Sequence, residues 1–306
     1  MLKEWLESRE NRIITNSDLD GVFSAMLLQK FFGTKVVGIT NSADVIIAET
    51  WGDFVNAAYV DMFMADPKVP CIDQHIIAYD RYECEALKQN PNKLNPNLAR
   101  FRSFKEDYQR KFPLSTFHYL LILLKKDGFD YINDSEWFKK LSLRIDDVLS
   151  NTVKYKDNIE DWMRFTGDVP SFLSNSLEWA YSNADAVPAI KAEVESFLKT
   201  SFNCETRDGG FKNILVDGKM NPDLRKLFRY VAELFNVDVD YLDDVTYKSI
   251  KRETMRCKSN ANINKENLLS YAYINSPYTS KQYNFSCTIS KPQNKVDTET
   301  ETTQKD

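Results

Sequence analysis

The chain is poor in histidine, in paired cysteines, in long apolar runs and in excess positive charge. Its 306 residues include two histidines, His75 and His118. Five cysteines, Cys71, Cys84, Cys204, Cys257 and Cys287, are scattered, odd in number and never spaced as CxxC. That spacing excludes a zinc ribbon and a disulfide framework, so a cytoplasmic, reducing location is the expectation. No apolar run approaches the ~18–20 residues of a membrane span; the longest is Tyr119 to Leu124. No membrane partner is therefore expected. The opening MLKEWLESRE lacks the character of a signal peptide. Forty Lys and Arg against 45 Asp and Glu leave a net charge of −5. Phosphate neutralisation dominates non-specific affinity for long duplexes, and an acidic chain supplies little of it. A local basic groove or a small phosphorylated substrate is compatible with this balance, which favours short or single-stranded substrates over long duplexes. No internal repeat is visible.

What is present is an ordinary globular composition, 42% apolar and 28% charged, with 19 Phe and 15 Tyr to build a substantial core. Asn11–Thr15 (NRIIT) reads as a short buried strand. A polar turn, Asn16 to Gly21, follows it. Val22–Phe32 then carries apolar residues at helical spacing and stops at Gly33. Lys35–Ile39 reads as a second strand. Ala57–Val60 runs into Asp61, and Val69–Ile72 runs into Asp73. Strands alternating with helices predict an α/β fold with a mostly parallel sheet. The Asn- and Pro-rich run 89–98 predicts a loop. From Ser115 to about Leu198 the pattern is helical, broken at Gly167–Pro170. Later come a turn at Asp208-Gly209-Gly210, an amphipathic helix near Pro222–Phe235, and strand-like runs at Leu268–Ile274 and Tyr283–Ile289. The expected organisation is a domain over 1–165, a helical connector over 166–200, a smaller C-terminal α+β domain over 201–290, and a disordered tail over 291–306.

Four acidic positions fall just past the carboxyl ends of expected strands, where open parallel sheets place their ligands. They are Asp18 and Asp20 after the first, Asp61 after a later one, and Asp73 after the next. Carboxylates gathered this way repel one another unless a divalent cation neutralises them, and an oxygen-rich set favours Mg²⁺ or Mn²⁺. Two such ions ~3.5–4 Å apart can activate a water and stabilise the leaving oxygen of a phosphoryl ester.

Over roughly residues 10–160 this order of motifs resembles the DHH phosphoesterase superfamily, whose members include RecJ-type exonucleases, oligoribonucleases and cyclic-dinucleotide phosphodiesterases. The family's first motif, H-x-D-x-D-G opening a helix, is matched by Asn16-Ser17-Asp18-Leu19-Asp20-Gly21. Its lone Asp at a strand end is matched by Asp61. Its Asp-His-His is matched by Asp73-Gln74-His75. A fourth family Asp is matched by Asp146, with Asp147 as the adjacent candidate. The resemblance implies that Asp18, Asp20, Asp61 and Asp146 hold Mn²⁺ or Mg²⁺, with Asn16 and Gln74 contributing weakly. It implies that His75 contacts the substrate phosphate and that Asp73 orients its neighbours. Asn16 and Gln74 depart from the family, since neutral amides replace better ligands for a transition metal. The family's Gly-rich motif with a His in the second domain is absent.

The leading expectation is metal-dependent hydrolysis of a phosphodiester. The alternative is a catalytically degenerate protein on the same scaffold that binds a nucleotide, a nucleic acid or a protein partner. Ordinary structural roles compete with each site residue. Asp18 and Asp20 could cap the helix that begins near Gly21. D-x-D-G also opens haloacid-dehalogenase-type phosphatases, but there the strand runs straight into the first Asp. His75 could be a partly buried structural His. Ser115 or Thr116 reads as an N-cap, with His118 structural. Lys248, Arg252 and Arg256 fall at helical spacing, with Lys251 and Lys258 nearby. They form either a solvated helix face or a phosphate-contact patch facing the cleft.

Overall fold

The structure, a computed structural model, describes residues 1–41, 44–49, 57–207, 209–251, 253–258, 268–275 and 283–289. The strands are β1 (Arg12–Asn16), β2 (Lys35–Thr40), β3 (Asp44–Ala48), β4 (Ala58–Val60), β5 (Cys71–Ile72) and β6 (Lys93–Leu94), a short hairpin of β7 (Leu215–Val216) and β8 (Lys219–Met220), then β9 (Tyr247–Lys251), β10 (Glu253–Lys258), β11 (Leu268–Asn275) and β12 (Tyr283–Ile289). The helices are α1 (Leu2–Glu7), α2 (Leu19–Phe32), α3 (Arg81–Lys88), α4 (Pro96–Ala99), α5 (Phe104–Asp107), α6 (Thr116–Lys126), α7 (Glu136–Arg144), α8 (Val148–Lys154), α9 (Lys156–Thr166), α10 (Ser171–Ser182), α11 (Val187–Phe202) and α12 (Pro222–Phe235).

Seven strands form one sheet in the order β6-β5-β4-β1-β2-β3-β9. The pairings from β6 through β2 are parallel, and β3 and β9 extend the sheet antiparallel. The α/β class with a mostly parallel sheet is thus as expected. Successive residues of a strand face opposite sides, and both sides here are covered. Ile13, Val36 and Val60 join a cluster with α2, α6 and α12, while Ile14, Val37 and Tyr59 join a second cluster with Leu268, Tyr271 and Tyr273. Strands buried on both faces read as continuous β-branched runs, which is why β1 and β2 are visible in the sequence.

The first cluster runs from Leu2 to Tyr247 and so spans the expected boundaries at 165 and 200. Its centre is aromatic: Phe23, Phe138, Phe172 and Phe235 approach at ring-centroid distances such as 5.2 Å for Phe138 to Phe235 and 5.7 Å for Phe23 to Phe235. Residues after 200 reach the main body through α12 packed on α2, through β9 paired to β3 and through β11, whose Leu268, Tyr271 and Tyr273 join the second cluster. Gly33 ends α2 in the left-handed conformation (φ 65°), and the helical run breaks at Gly167 (φ 80°).

Two expectations need correction. The run 89–98 contains β6 and α4, not loop alone; Asn95 caps α4 by accepting from the amides of Asn97 and Leu98, with Pro96 in the first turn. The same Asn-Pro chemistry that suggests a loop is also helix-starting chemistry. The basic segment near 250 is not helical. Lys248 lies on β9, opposite Ile47 of β3, and Arg256 lies on β10, opposite Ser286 of β12. Sheet pairing with distant strands overrides the local spacing. Arg252 and the expected tail over 291–306 lie outside the described residues. Among the described residues, no helix is long and apolar enough to cross a membrane.

Candidate metal centre and its cleft

Strand order places β1 between β2 and β4, so the chain leaves β1 toward both sides of the sheet. The carboxyl ends of β1 and β4 meet at this switch point, where open α/β sheets bind ligands. After β1 the chain turns sharply into α2. The Asp18 carboxylate caps the helix, accepting from the Gly21 amide at 3.0 Å. Gly21 is required there, because a Cβ would sit 2.2 Å from the carbonyl oxygen of Asn16. Asp18 therefore does have the capping role. Its second oxygen accepts from the Asn16 amide nitrogen at 2.9 Å, which also donates to Asp61 at 3.1 Å.

Asp20 turns inward from the first turn of α2. It accepts from the backbone amides of Thr116 (2.9 Å) and Phe117 (2.8 Å), at the N-terminus of α6. Unpaired amides and the positive end of the helix dipole make this a seat for a carboxylate. Asp61 follows β4 directly with φ 60° and accepts from the Thr116 hydroxyl at 2.9 Å. Asp20 and Asp61 also lie close enough to perturb one another. Ser115 supplies the α6 cap, and its hydroxyl meets His118 Nδ1 at 2.7 Å. His118 is fully buried, and burial pulls it down to about 3, so it is a neutral structural residue, as expected.

Asp73 and His75 form a second unit. Asp73 is fully buried. It accepts from His75 Nδ1 at 2.7 Å and from the His75 backbone amide at 3.1 Å, and Asn95 reaches the same carboxylate at 3.5 Å. The imidazole is thereby fixed by one nitrogen, and the side chain is 42% exposed to the cleft. Gln74 donates through its amide nitrogen to Asp146 at 2.8 Å. Asp146 and Asp147 both take left-handed backbone angles (φ 49° and 55°) between α7 and α8. The pair separates in function: Asp147 is held by Lys191 at 2.8 Å and by Ser150, whereas Asp146 faces Gln74 and the acidic cluster.

The electrostatics follow from burial. Burial and the neighbouring Asp146 push the Asp20 carboxyl up to about 7, against the pull of the two α6 amides. Burial, with Asp20, Asp18, Asp146 and Asp73 nearby, raises Asp61 well above the usual carboxylate range. Burial alone would lower His75, but the Asp73 carboxylate outweighs it and holds the imidazole at about 9. Among the described residues, the hydrogen bonds to Asp61 come from neutral donors, the amide of Asn16 and the hydroxyl of Thr116. A bare cluster of this kind is under like-charge strain that a cation relieves. Asp61, Asp73 and His75 each offer a ligand atom within 4.8 Å of one another, a group that could hold a metal ion. Asp61 thus belongs to this group as well as to the expected set. Asp18, Asp20 and Asp146 surround it, and Asn16 and Gln74 present amide N–H groups to the carboxylates.

A cavity of about 480 Å³ opens beside His75, Gln74 and Asp146. Tyr108, Lys111 and Tyr155 line it too. None of these three stands out in the sequence, and neither does Thr116 as a partner of Asp61; each reaches the site only through the fold. Lys248, on β9, is not in the cavity lining. No protein-family model matches this chain, and neither a curated protein nor a solved structure does.

Proposed function

We propose that the chain is a metal-dependent phosphoesterase of the DHH type, acting on a nucleotide or on short or single-stranded nucleic acid. The observation that carries this reading is the convergence of Asp18, Asp20, Asp73 and Asp146 on Asp61, at the carboxyl ends of β1, β4 and β5. Structural carboxylates are seldom gathered in burial without cations beside them. The donor set is rich in carboxylate oxygen, which suits Mn²⁺ or Mg²⁺. On this reading Asp61 and Asp20 would hold such an ion, with Asp18 and Asp146 flanking it. When bound, it would neutralise the cluster and activate a water for attack on phosphorus.

The remaining work falls to the chain itself. Asp73 fixes the ring of His75 through Nδ1, so that Nε2 is the nitrogen available to the cleft. Held at about 9, the imidazole is cationic at neutral pH, so it can contact a phosphate oxygen and stabilise charge that grows on it. The α6 amides keep Asp20 aimed at the cluster.

A second reading has its own observation. Asn16 and Gln74 give their N–H groups to Asp18, Asp61 and Asp146, and so partly do the neutralising that a cation would do. That arrangement favours a protein that binds a phosphate ester without cleaving it. The two readings part in one assay: hydrolysis of bis(p-nitrophenyl) phosphate and of a short single-stranded oligonucleotide, with Mn²⁺ titrated in. Metal-dependent turnover lost in Asp61→Asn supports the hydrolase. No turnover, with a melting curve indifferent to millimolar Mn²⁺, overturns it.

A further inference from the structure

The cavity beside His75 has two chemically distinct walls. Gln74, His75 and Asp146 form one, joined by the hydrogen bond from Gln74 to Asp146. The other comes from the segment before α6 and the junction of α8 and α9, and it offers Tyr108, Lys111 and Tyr155. The Lys111 ammonium lies 4.8 Å from the Tyr108 ring centroid, and the neighbouring Lys154 ammonium lies 5.0 Å from that of Tyr155. Both tyrosines thus pair an aromatic ring with a cation at the rim. Asn158, also in the lining, donates to the Lys111 carbonyl at 3.0 Å and ties the two segments together.

We propose that this cavity is a subsite for the nucleoside portion of a phosphate ester, with the base stacked on a tyrosine and Lys111 beside the phosphate end. It rests on the reading of His75 as the phosphate-contacting residue. The size fits: about 480 Å³ lies within the ~300–1,000 Å³ of small-molecule sites, room for a nucleotide unit and not for a duplex. The chemistry fits as well. Single-strand recognition combines aromatic platforms with local positive charge, and every base has a face to stack. A chain with a net charge of −5 supplies little of the phosphate neutralisation that holds a long polynucleotide backbone. Stacking in a cavity depends on it less.

The test is calorimetry on the full chain with adenosine 5′-monophosphate, ribose 5-phosphate and adenosine, each with and without Mn²⁺. The monophosphate should bind at least ~5-fold more tightly than ribose 5-phosphate, the low end of base–aromatic stacking. Tyr155→Ala should erase that difference and Tyr155→Phe should keep it; Tyr108→Ala is the second variant. Equal affinity of the wild type for the two phosphates overturns the subsite, and so does a difference that survives both alanine variants. Adenosine carries no phosphate and separates this inference from the hydrolase reading. Adenosine binding that depends on Tyr155, in a protein that cleaves no ester, keeps the subsite and removes the hydrolase. Turnover of bis(p-nitrophenyl) phosphate without any preference for the nucleotide keeps the hydrolase and removes the subsite.

Discussion

Replacing Asp61 by Asn should stabilise the metal-free protein and cost it its response to metal. Asp61 is buried among Asp20, Asp18, Asp146 and Asp73, and these together raise its proton affinity. Asp20 is raised by the same causes, burial first and a neighbouring carboxylate second. Each tenfold step in proton affinity is about 1.4 kcal/mol, so holding Asp61 ionised costs the fold free energy that an amide does not. The amide is nearly isosteric, and Asn tolerates the left-handed angle at position 61. It keeps an oxygen for the Thr116 hydroxyl, but its own N–H₂ group meets the amide of Asn16. One poorly matched polar pair takes back about 1–3 kcal/mol. A net gain on the order of 1 kcal/mol at pH 7.5 is expected.

The sign with pH is fixed. A carboxyl whose proton affinity is raised by folding, as that of Asp61 is, favours the fold at low pH and loses that advantage as pH climbs above its unfolded value toward the raised one. His118 works in the opposite sense below 6.5, because its buried ring is held down to about 3. His118 is common to wild type and variant and cancels in their difference. The stability of Asp61→Asn minus that of wild type should therefore grow between pH 5 and pH 7.5 in chelator. Urea unfolding at both pH values measures it, and a repeat with Mn²⁺ should show the wild type gaining and the variant not. A variant less stable than wild type at pH 7.5, with a difference flat in pH, would refute the electrostatic account of the cluster.

Three further outcomes are expected. Asp73→Asn should lower the titration of His75 by at least one pH unit from about 9, since the carboxylate on Nδ1 is what raises it; proton NMR resolves this because the chain's other histidine is buried and neutral. Gly21→Ala should destabilise the fold by about 2 kcal/mol or more in thermal unfolding, because its Cβ would fall 2.2 Å from the Asn16 carbonyl oxygen, and the Mn²⁺ response should weaken with it. On the proposed reading, Asn16→His combined with Gln74→His should tighten Mn²⁺ binding by at least ~10-fold, the scale on which even outer partners alter metal sites; equal affinities by calorimetry would mean that neither position faces the ion.

The sequence exposed the first half of the sheet because its strands carry their own signal. β1 and β2 are β-branched runs buried on both faces, and each ends at a polar residue. α2 announces itself by Asp18 at one end and Gly33 at the other. α12 is amphipathic enough to be bounded almost to the residue. What stayed hidden depends on partners far along the chain. β9 exists because it pairs with β3, two hundred residues earlier by number, and its lysines locally mimic a helix face. Within the site, Asp18, Asp20, Asp61 and Asp73 were visible as acids after strands. Their hydrogen-bond partners at the start of α6 were not, because Thr116 and Phe117 approach Asp20 only when α6 crosses α2. The cavity walls at Tyr108, Lys111 and Tyr155 belong to segments with no motif at all.

Asn16 is where the proposed hydrolase and the binding protein diverge. Its amide nitrogen lies between Asp18 and Asp61, at 2.9 Å and 3.1 Å, and its oxygen accepts from the Ser17 amide at 2.9 Å. In this arrangement the side chain is a donor, and it blunts the repulsion that would otherwise draw in a cation. To serve as a ligand it must turn and present its oxygen, giving up two charge-assisted hydrogen bonds, each a stronger class of contact than a neutral pair. On the proposed reading, metal entry would therefore compete with an internal contact. A histidine at the same position can expose a bare nitrogen to the ion without surrendering such a pair. The two proposed readings thus differ in which group neutralises Asp61, the amide or a cation.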